Sequence, residues 1–196
     1  EWHEARRSGI GASEVAAVLG LSPWQTPLDV WRTKMGVPHE IPQDLAYFGH
    51  ALEPVIADWV STKHPEVGLI SAGVSARSIE YPWLTASPDR IAYVPLDGDE
   101  PPFEYMPLEL KTSSAYSKEK WANGVPLYYE AQVQAQLAVL GASYGWLAVL
   151  HGGNSPELFR VERDEEFITE HLIPKTKAFW DNHVLTEVPP EPVTSA

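Results

Sequence analysis

An α/β sandwich, a mixed β-sheet flanked by helices on both faces, is the fold this sequence predicts, and three observations predict it. Segments of helical period alternate with segments of period two, in the order helices, a meander of strands, helix, strands, helix. A length of 196 residues with 44% hydrophobic content is enough for one domain with a substantial core. No internal repeat or shift of composition marks a second domain. One domain is therefore expected over residues 1–188, followed by a Pro-rich tail, 189–196, expected to be disordered.

The elements follow in order. Ser13 to Gly20 reads as a short helix with Ser13 near its N-cap and Gly20 at its end. After a turn at Ser22-Pro23-Trp24, Pro27 to Lys34 reads as a second helix, opened by proline and closed by Gly36. A third runs from about Asp44 to Lys63, with Leu45, Phe48, Leu52, Val55, Ile56 and Trp59 as an apolar stripe expected to face the core. Strands are expected at Gly68–Arg77, Trp83–Ala86, Arg90–Val94 and Tyr105–Thr112, with Pro95–Phe103 as a loop between the last two. Leu127 to Leu140 is a strong helix stopped by Gly141. Tyr144–His151 and Glu157–Arg163 form a hairpin across Gly152-Gly153-Asn154, and a last helix covers Glu165 to about Val184.

Composition removes several kinds of chemistry. The chain has no cysteine, which excludes disulfides, Cys-ligated zinc and iron–sulfur clusters. Its seven histidines show no HExxH or similar spacing, so a zinc hydrolase is not expected. No apolar run is long enough to span a bilayer and no secretory segment opens the chain, so a cytoplasmic location is the expectation. The chain opens on Glu1 rather than Met, consistent with missing native residues upstream. A net charge of −13 argues at first against a polyanion as partner, but residues 1–39 are balanced. The acid excess lies elsewhere, notably in Asp97, Asp99, Glu100 and Glu104, and in Asp164-Glu165-Glu166 at a helix start. A narrow DNA-contacting lane remains compatible with that distribution.

The chemistry concentrates in Ser87-Pro88-Asp89 and Leu108-Glu109-Leu110-Lys111. Strand alternation puts Glu109 and Lys111 on one face and Leu110 on the other. Asp89 and Glu109 could share a divalent cation, with Lys111 beside the water or phosphate it activates, which is minimal equipment for phosphodiester cleavage. Glu-x-Lys alone is common on solvated surfaces; here it ends an apolar strand one hairpin after a Ser-Pro-Asp turn.

Other blocks agree with it: Trp2, Arg6-Arg7-Ser8-Gly9-Ile10-Gly11-Ala12-Ser13-Glu14, Leu19 to Trp24, Trp31, Gly49-His50-Ala51-Leu52-Glu53-Pro54, and Val125 to Gln136. Together they resemble the YqaJ-like phage recombinase and lambda exonuclease family of the PD-(D/E)xK nuclease superfamily, over roughly residues 2–150. The resemblance implies a restriction-endonuclease-like core and a catalytic set of Asp89, Glu109, Lys111, Glu53 and Gln132. It implies metal ligation by Asp89, Glu109, the Leu110 carbonyl and Glu53. Two Mg²⁺ ions are expected, with Mn²⁺ as a substitute. The bland alternative for Glu53 is a helix-surface carboxylate.

The same resemblance assigns DNA and 5′-phosphate contact to Arg6 or Arg7, Ser13, Ser87, Arg90, Tyr129 and Gln132, the family spacing favouring Arg6. Ser13 reads equally as an N-cap, and Arg90 as a partner for an acidic neighbour. Val133, Leu137 and Leu140 mark the core face of their helix and leave Gln132 partly free, Gln136 lies one turn further along the face of Gln132, and Gln134 reads as structural or interfacial. Trp24, at the tip of its turn, is the aromatic residue best placed to wedge against a DNA end, whereas Trp31, Trp59, Trp146 and Trp180 read as core.

The function implied is a Mg²⁺-dependent 5′→3′ exonuclease on double-stranded DNA ends. It would leave 3′ overhangs for a single-strand annealing protein, as a ring-shaped homotrimer in a bacterial host, of phage or prophage origin. A structure-selective or nicking endonuclease on the same fold is the alternative within enzymes. A non-cutting DNA-end-binding module is the alternative outside them, and the full set of catalytic residues argues against it.

Overall fold

The computed structural model describes residues 8–37, 42–97 and 100–192. Helices α1 (Ala12–Val18), α2 (Pro27–Lys34) and α3 (Gln43–Lys63) precede strands β2 (Leu69–Ala72), β3 (Ala76–Arg77), β4 (Leu84–Ala86), β5 (Arg90–Asp97) and β6 (Glu100–Ser113). A two-residue strand, β1 (Ile10–Gly11), comes before α1. Helix α4 (Leu127–Leu140), the hairpin β7 (Tyr144–His151) and β8 (Ser155–Glu162), and α5 (Ile173–Phe179) complete the chain. Helix α5 lies between π-helical turns at Phe167–Leu172 and Trp180–Val184.

The main sheet has five strands in the order β2-β5-β6-β7-β8. It is mixed because β6 and β7 run parallel, Glu109 opposite Leu147 and Lys111 opposite Val149, while its other pairings are antiparallel. A parallel pair needs a crossover, and α4 supplies it. Alternation then sorts the two faces. Leu108, Leu110, Trp146, Ala148 and Leu150 pack with Ile56 and Val60 of α3. Leu147, Val149 and Val161 pack with Val133 and Leu137 of α4. Glu109 and Lys111 belong to the α4 face, so their carboxylate and ammonium project where that helix approaches.

A second, three-stranded sheet, β1-β4-β3, joins Ile10 to Leu84 in parallel. It packs with α1, α4 and α5 around Ile10, Val15, Leu84, Ala135, Leu172 and Phe179. Within this layer Lys34 of α2 donates to Glu14 of α1 at 2.5 Å, both side chains buried. Glu14 also accepts the Gly11 N–H at 2.8 Å.

The structure departs from sequence expectation in five places. Helix α1 begins a residue earlier than expected, with Gly11 as its N-cap, so Ser13 is an exposed residue in its first turn rather than the cap. The stretch Gly68–Arg77 is two strands in different sheets, divided around Gly73. Pro95 pairs with Phe103 and Val94 with Glu104, so much of the expected loop Pro95–Phe103 extends the β5–β6 hairpin. Of the apolar stripe on α3 only Ile56 is buried, with Val60 beside it, and Leu45, Phe48 and Val55 face solvent. Helix α4 is buried on all sides from Ala131 to Leu137, so Gln132 is enclosed rather than partly free. Helix boundaries for Pro27–Lys34 and Leu127–Leu140 agree with expectation. Gly141, at φ +70°, ends α4 in the left-handed region that glycine adopts without strain.

Candidate active site

The site lies where β5 begins and β6 runs on beyond it. The last paired residue on this edge of β6 is Leu108, opposite Arg90. Among the described residues no strand lies beside Leu110 on that edge, and its N–H is taken instead by the Asp89 side chain, Oδ2 accepting at 2.7 Å. This bond fixes the Ser-Pro-Asp turn against the Glu-x-Lys strand. The Leu110 carbonyl leaves the strand on the same edge as its N–H, which brings a main-chain oxygen toward Asp89.

On the α4 face, Glu109 is buried and its carboxylate accepts three hydrogen bonds. Lys111 Nζ and Gln132 Nε2 donate to Oε1 at 2.7 and 2.6 Å, and Gln136 Nε2 donates to Oε2 at 2.7 Å. A buried carboxylate is costly unless charge and donors compensate it, and this one has both. Burial works against the Lys111 ammonium, but the Glu109 carboxylate and its hydrogen bond outweigh it and hold the lysine above its ordinary pKa.

Asp89 has the opposite fate. Burial first, and the Glu109 charge second, push its carboxyl from 3.8 up to about 7, with Glu53 adding to the effect and Lys111 opposing it. Glu53 of α3 is thus close enough to act on Asp89, and its Oε1 stands 2.9 Å from Nδ1 of the exposed His50. Asp89 thus feels the charges of Glu109 and Glu53 against that of one lysine. Among the described residues no three His, Asp or Glu side chains are already gathered around a common point as ligands. The donor set itself, carboxylate oxygens of Asp89, Glu109 and Glu53 with the Leu110 carbonyl, is the hard-oxygen set that a small divalent cation takes. The residues present therefore fit one.

The other expected residues are distributed as follows. Tyr129 is half-buried with Lys111 Nζ 5.4 Å from its ring centre, and burial raises its hydroxyl pKa. Ser13 and Ser87 are exposed, and Ser87 Oγ lies 2.9 Å from Ser75 Oγ. Arg90 donates to the main-chain oxygen of Asp89 at 2.6 Å rather than to an acidic side chain. Trp24 is exposed and touches Tyr128 and Tyr129. Arg6 and Arg7 lie outside the described residues. Gln134, facing away from the site, donates to the Glu162 carbonyl at 2.7 Å and accepts the Asp164 N–H at 2.9 Å, a structural clamp on the end of β8. Gln136 was not among the expected site residues, although its position one turn from Gln132 was the signal for it.

A family model described as the YqaJ-like viral recombinase domain matches residues 1–143. The chain belongs to that family. Protein YqaJ of Bacillus subtilis (strain 168), uncharacterized, is 35% identical over 190 residues, which cover 94% of this chain and 56% of the relative. The chain thus spans little more than half the length of that relative. Two solved structures share the fold of this YqaJ-like chain. One is an alkaline exonuclease, LHK-Exo, from Laribacter hongkongensis, with a TM-score of 0.72 at 21% identity, covering 95% of this chain and 93% of that one. The other is a phage-related exonuclease from Haemophilus somnus 129PT, with a TM-score of 0.61 at 12% identity, covering 95% and 99%.

Proposed function

We propose that this YqaJ-like protein is a Mg²⁺-dependent deoxyribonuclease that degrades double-stranded DNA from 5′ ends, leaving 3′ single-stranded overhangs. The observation that carries the reading is the Glu109 carboxylate, buried and held by Lys111, Gln132 and Gln136 within reach of Asp89. Asp89, Glu109, Glu53 and the Leu110 carbonyl would hold the cation, two ions by the family resemblance, with Mn²⁺ able to replace Mg²⁺. The bound metal would supply Lewis-acid activation of water and of the phosphate. Lys111 orients the attacking water and offsets charge that develops on the phosphate. Gln132 fixes the Glu109 oxygen shared with Lys111. Arg6 or Arg7, Ser13 and Ser87 would grip a terminal 5′-phosphate, with Arg90 and Tyr129 along the strand.

The family resemblance extends the proposal to a ring-shaped homotrimer working with a single-strand annealing protein in the cytoplasm of a bacterial host, of phage or prophage origin. Among the described residues no helix is long and apolar enough to cross a membrane.

The test is digestion of a linear duplex, labelled in turn at each end of one strand, with Mg²⁺ or EDTA and with a relaxed circle as control. Loss from 5′-phosphorylated ends in Mg²⁺ alone, with the circle intact, is expected. Asp89→Asn and Glu109→Gln are expected to lower cleavage at least a thousandfold while retaining DNA binding. Cutting of the circle would establish an endonuclease instead, and an active Asp89→Asn protein would remove the metal assignment.

A further inference from the structure

Helix α4 buries glutamines at alternate positions, Gln132, Gln134 and Gln136, and the last of them is only half satisfied. Gln134 and Gln136 are each 1% exposed. Gln134 uses both ends of its amide on the main chain, Nε2 on the Glu162 carbonyl and Oε1 on the Asp164 N–H. Gln136 uses one end only. Its Nε2 donates to Glu109 Oε2 at 2.7 Å, and its Oε1 is buried with no hydrogen-bond partner among the described residues. Turning the amide over would set that oxygen against the carboxylate oxygen, acceptor facing acceptor, so the carboxylate imposes the orientation seen. An unpartnered acceptor in the interior costs free energy that an apolar side chain of the same volume would not. Packing therefore does not account for an amide at this position; the carboxylate it meets does.

The hydrogen bonds of Glu109 show what the amide accomplishes. A carboxylate offers about four lone-pair directions, shared equally between its oxygens. Lys111 and Gln132 take both of those on Oε1, at 2.7 and 2.6 Å, and the ammonium there repels a further cation. Gln136 takes one on Oε2 and brings no charge. The other lone pair of Oε2 is left uncommitted.

We propose that Gln136 is a positioning residue that fixes the Glu109 carboxylate so that Oε2, and not Oε1, is the oxygen offered to the divalent cation. This rests on the metal-dependent reading above and adds which atom of Glu109 serves it and which side chain holds that atom in place. Gln136 acts through Glu109 and is not itself a ligand.

The experiment uses Mn²⁺ alone as the probe, titrated into the full chain without DNA and followed by loss of the free-ion EPR signal. Thermal unfolding in EDTA runs alongside. Gln136→Met, close in volume and apolar, is expected to weaken Mn²⁺ binding about tenfold or more. Its unfolding midpoint is expected to stay near that of wild type, because the lost hydrogen bond is offset by removal of the orphaned oxygen. Gln136→Asn, which keeps the amide but withdraws it from the carboxylate, is expected to show the same loss of affinity. Gln134→Met is expected to do the reverse, lowering the midpoint and leaving Mn²⁺ binding at the wild-type value. Wild-type or tighter Mn²⁺ binding by either Gln136 variant would overturn the assignment, as would an equal loss in Gln134→Met. If the wild-type chain itself binds no Mn²⁺, the metal reading fails first and the role of Gln136 with it.

Discussion

Both oxygens of the Glu109 carboxylate are engaged, one by Lys111 and Gln132 and the other by Gln136. Asp89 has a single main-chain donor, from Leu110. The Asp89 carboxyl is pushed to about 7, burial being the larger cause and the Glu109 charge the next. The sign of the consequence follows. A carboxyl whose folded pKa exceeds its unfolded value favours the folded state most below the unfolded value, and that contribution is lost as pH rises through about 7. A cation must displace the Asp89 proton below that pH and need not do so above it. Apparent Mg²⁺ affinity is therefore expected to fall about tenfold per pH unit below about 7 and to level off above it. Calorimetric titration across that range measures this directly, and an affinity flat with pH would remove Asp89 from the metal site. Asp89, Glu109 and Lys111 were legible in the sequence because strand alternation is a strict rule and the Ser-Pro-Asp turn stands one hairpin away. The contact of Gln136 with Glu109 was less so: its place one turn from Gln132 was the signal, but the carboxylate it meets is seen only in the fold.

At the scale of elements, the site depends on how closely two chain segments pass. A Cβ built at Gly73 would stand 1.9 Å from the Pro88 carbonyl oxygen and 2.9 Å from that of Asp89. Glycine is required there by approach, not by a left-handed φ, and it is also where the chain leaves the five-stranded sheet for the three-stranded one. The sequence run from Gly68 to Arg77 reads as one strand because its period is right, but a glycine within a strand is a signal for a break or a close backbone approach. Gly73→Ala must push the Ser-Pro-Asp turn off the Glu-x-Lys strand. Overpacking of this kind is expected to cost about 1–3 kcal/mol of stability. Displacing Asp89 by about an ångström is expected to lower turnover about a hundredfold. Thermal denaturation and single-turnover cleavage measure the two effects, and wild-type turnover in the variant would show that the turn tolerates the shift. The stripe on α3 held only in part for a related reason: periodicity identifies an apolar face but not how far along the helix a neighbour reaches, and the sheet meets α3 around Ile56 and Val60, with Leu52, Ala57 and Trp59 half-buried beside them.

For the whole molecule, the mixed sheet and its two helical faces were legible, because interleaved periods of two and 3.6 leave few other arrangements. The second sheet was not. Its pairing of Ile10-Gly11 with Leu84-Thr85 joins very short strands distant in sequence, below what pattern alone resolves. Charge is the property that belongs to the molecule as a whole, and it constrains how DNA is held. With 27 acidic against 14 basic side chains, the proposed cationic contacts with phosphates are few, at most Arg6, Arg7, Arg90 and Lys111. Each neutralised phosphate contributes about −0.9 to the slope of log affinity against log salt on duplex DNA. Four contacts give a slope of about −4 at most, and repulsion from the acidic remainder weakens with salt and makes it shallower. The Asp89→Asn protein titrated with a 5′-phosphorylated duplex over a series of KCl concentrations measures that slope. A value clearly steeper than about −4 would require cations beyond those four to line the path of the DNA. A shallow slope with retained affinity would mean that contacts other than charge, stacking among them, hold this strand against an acidic protein.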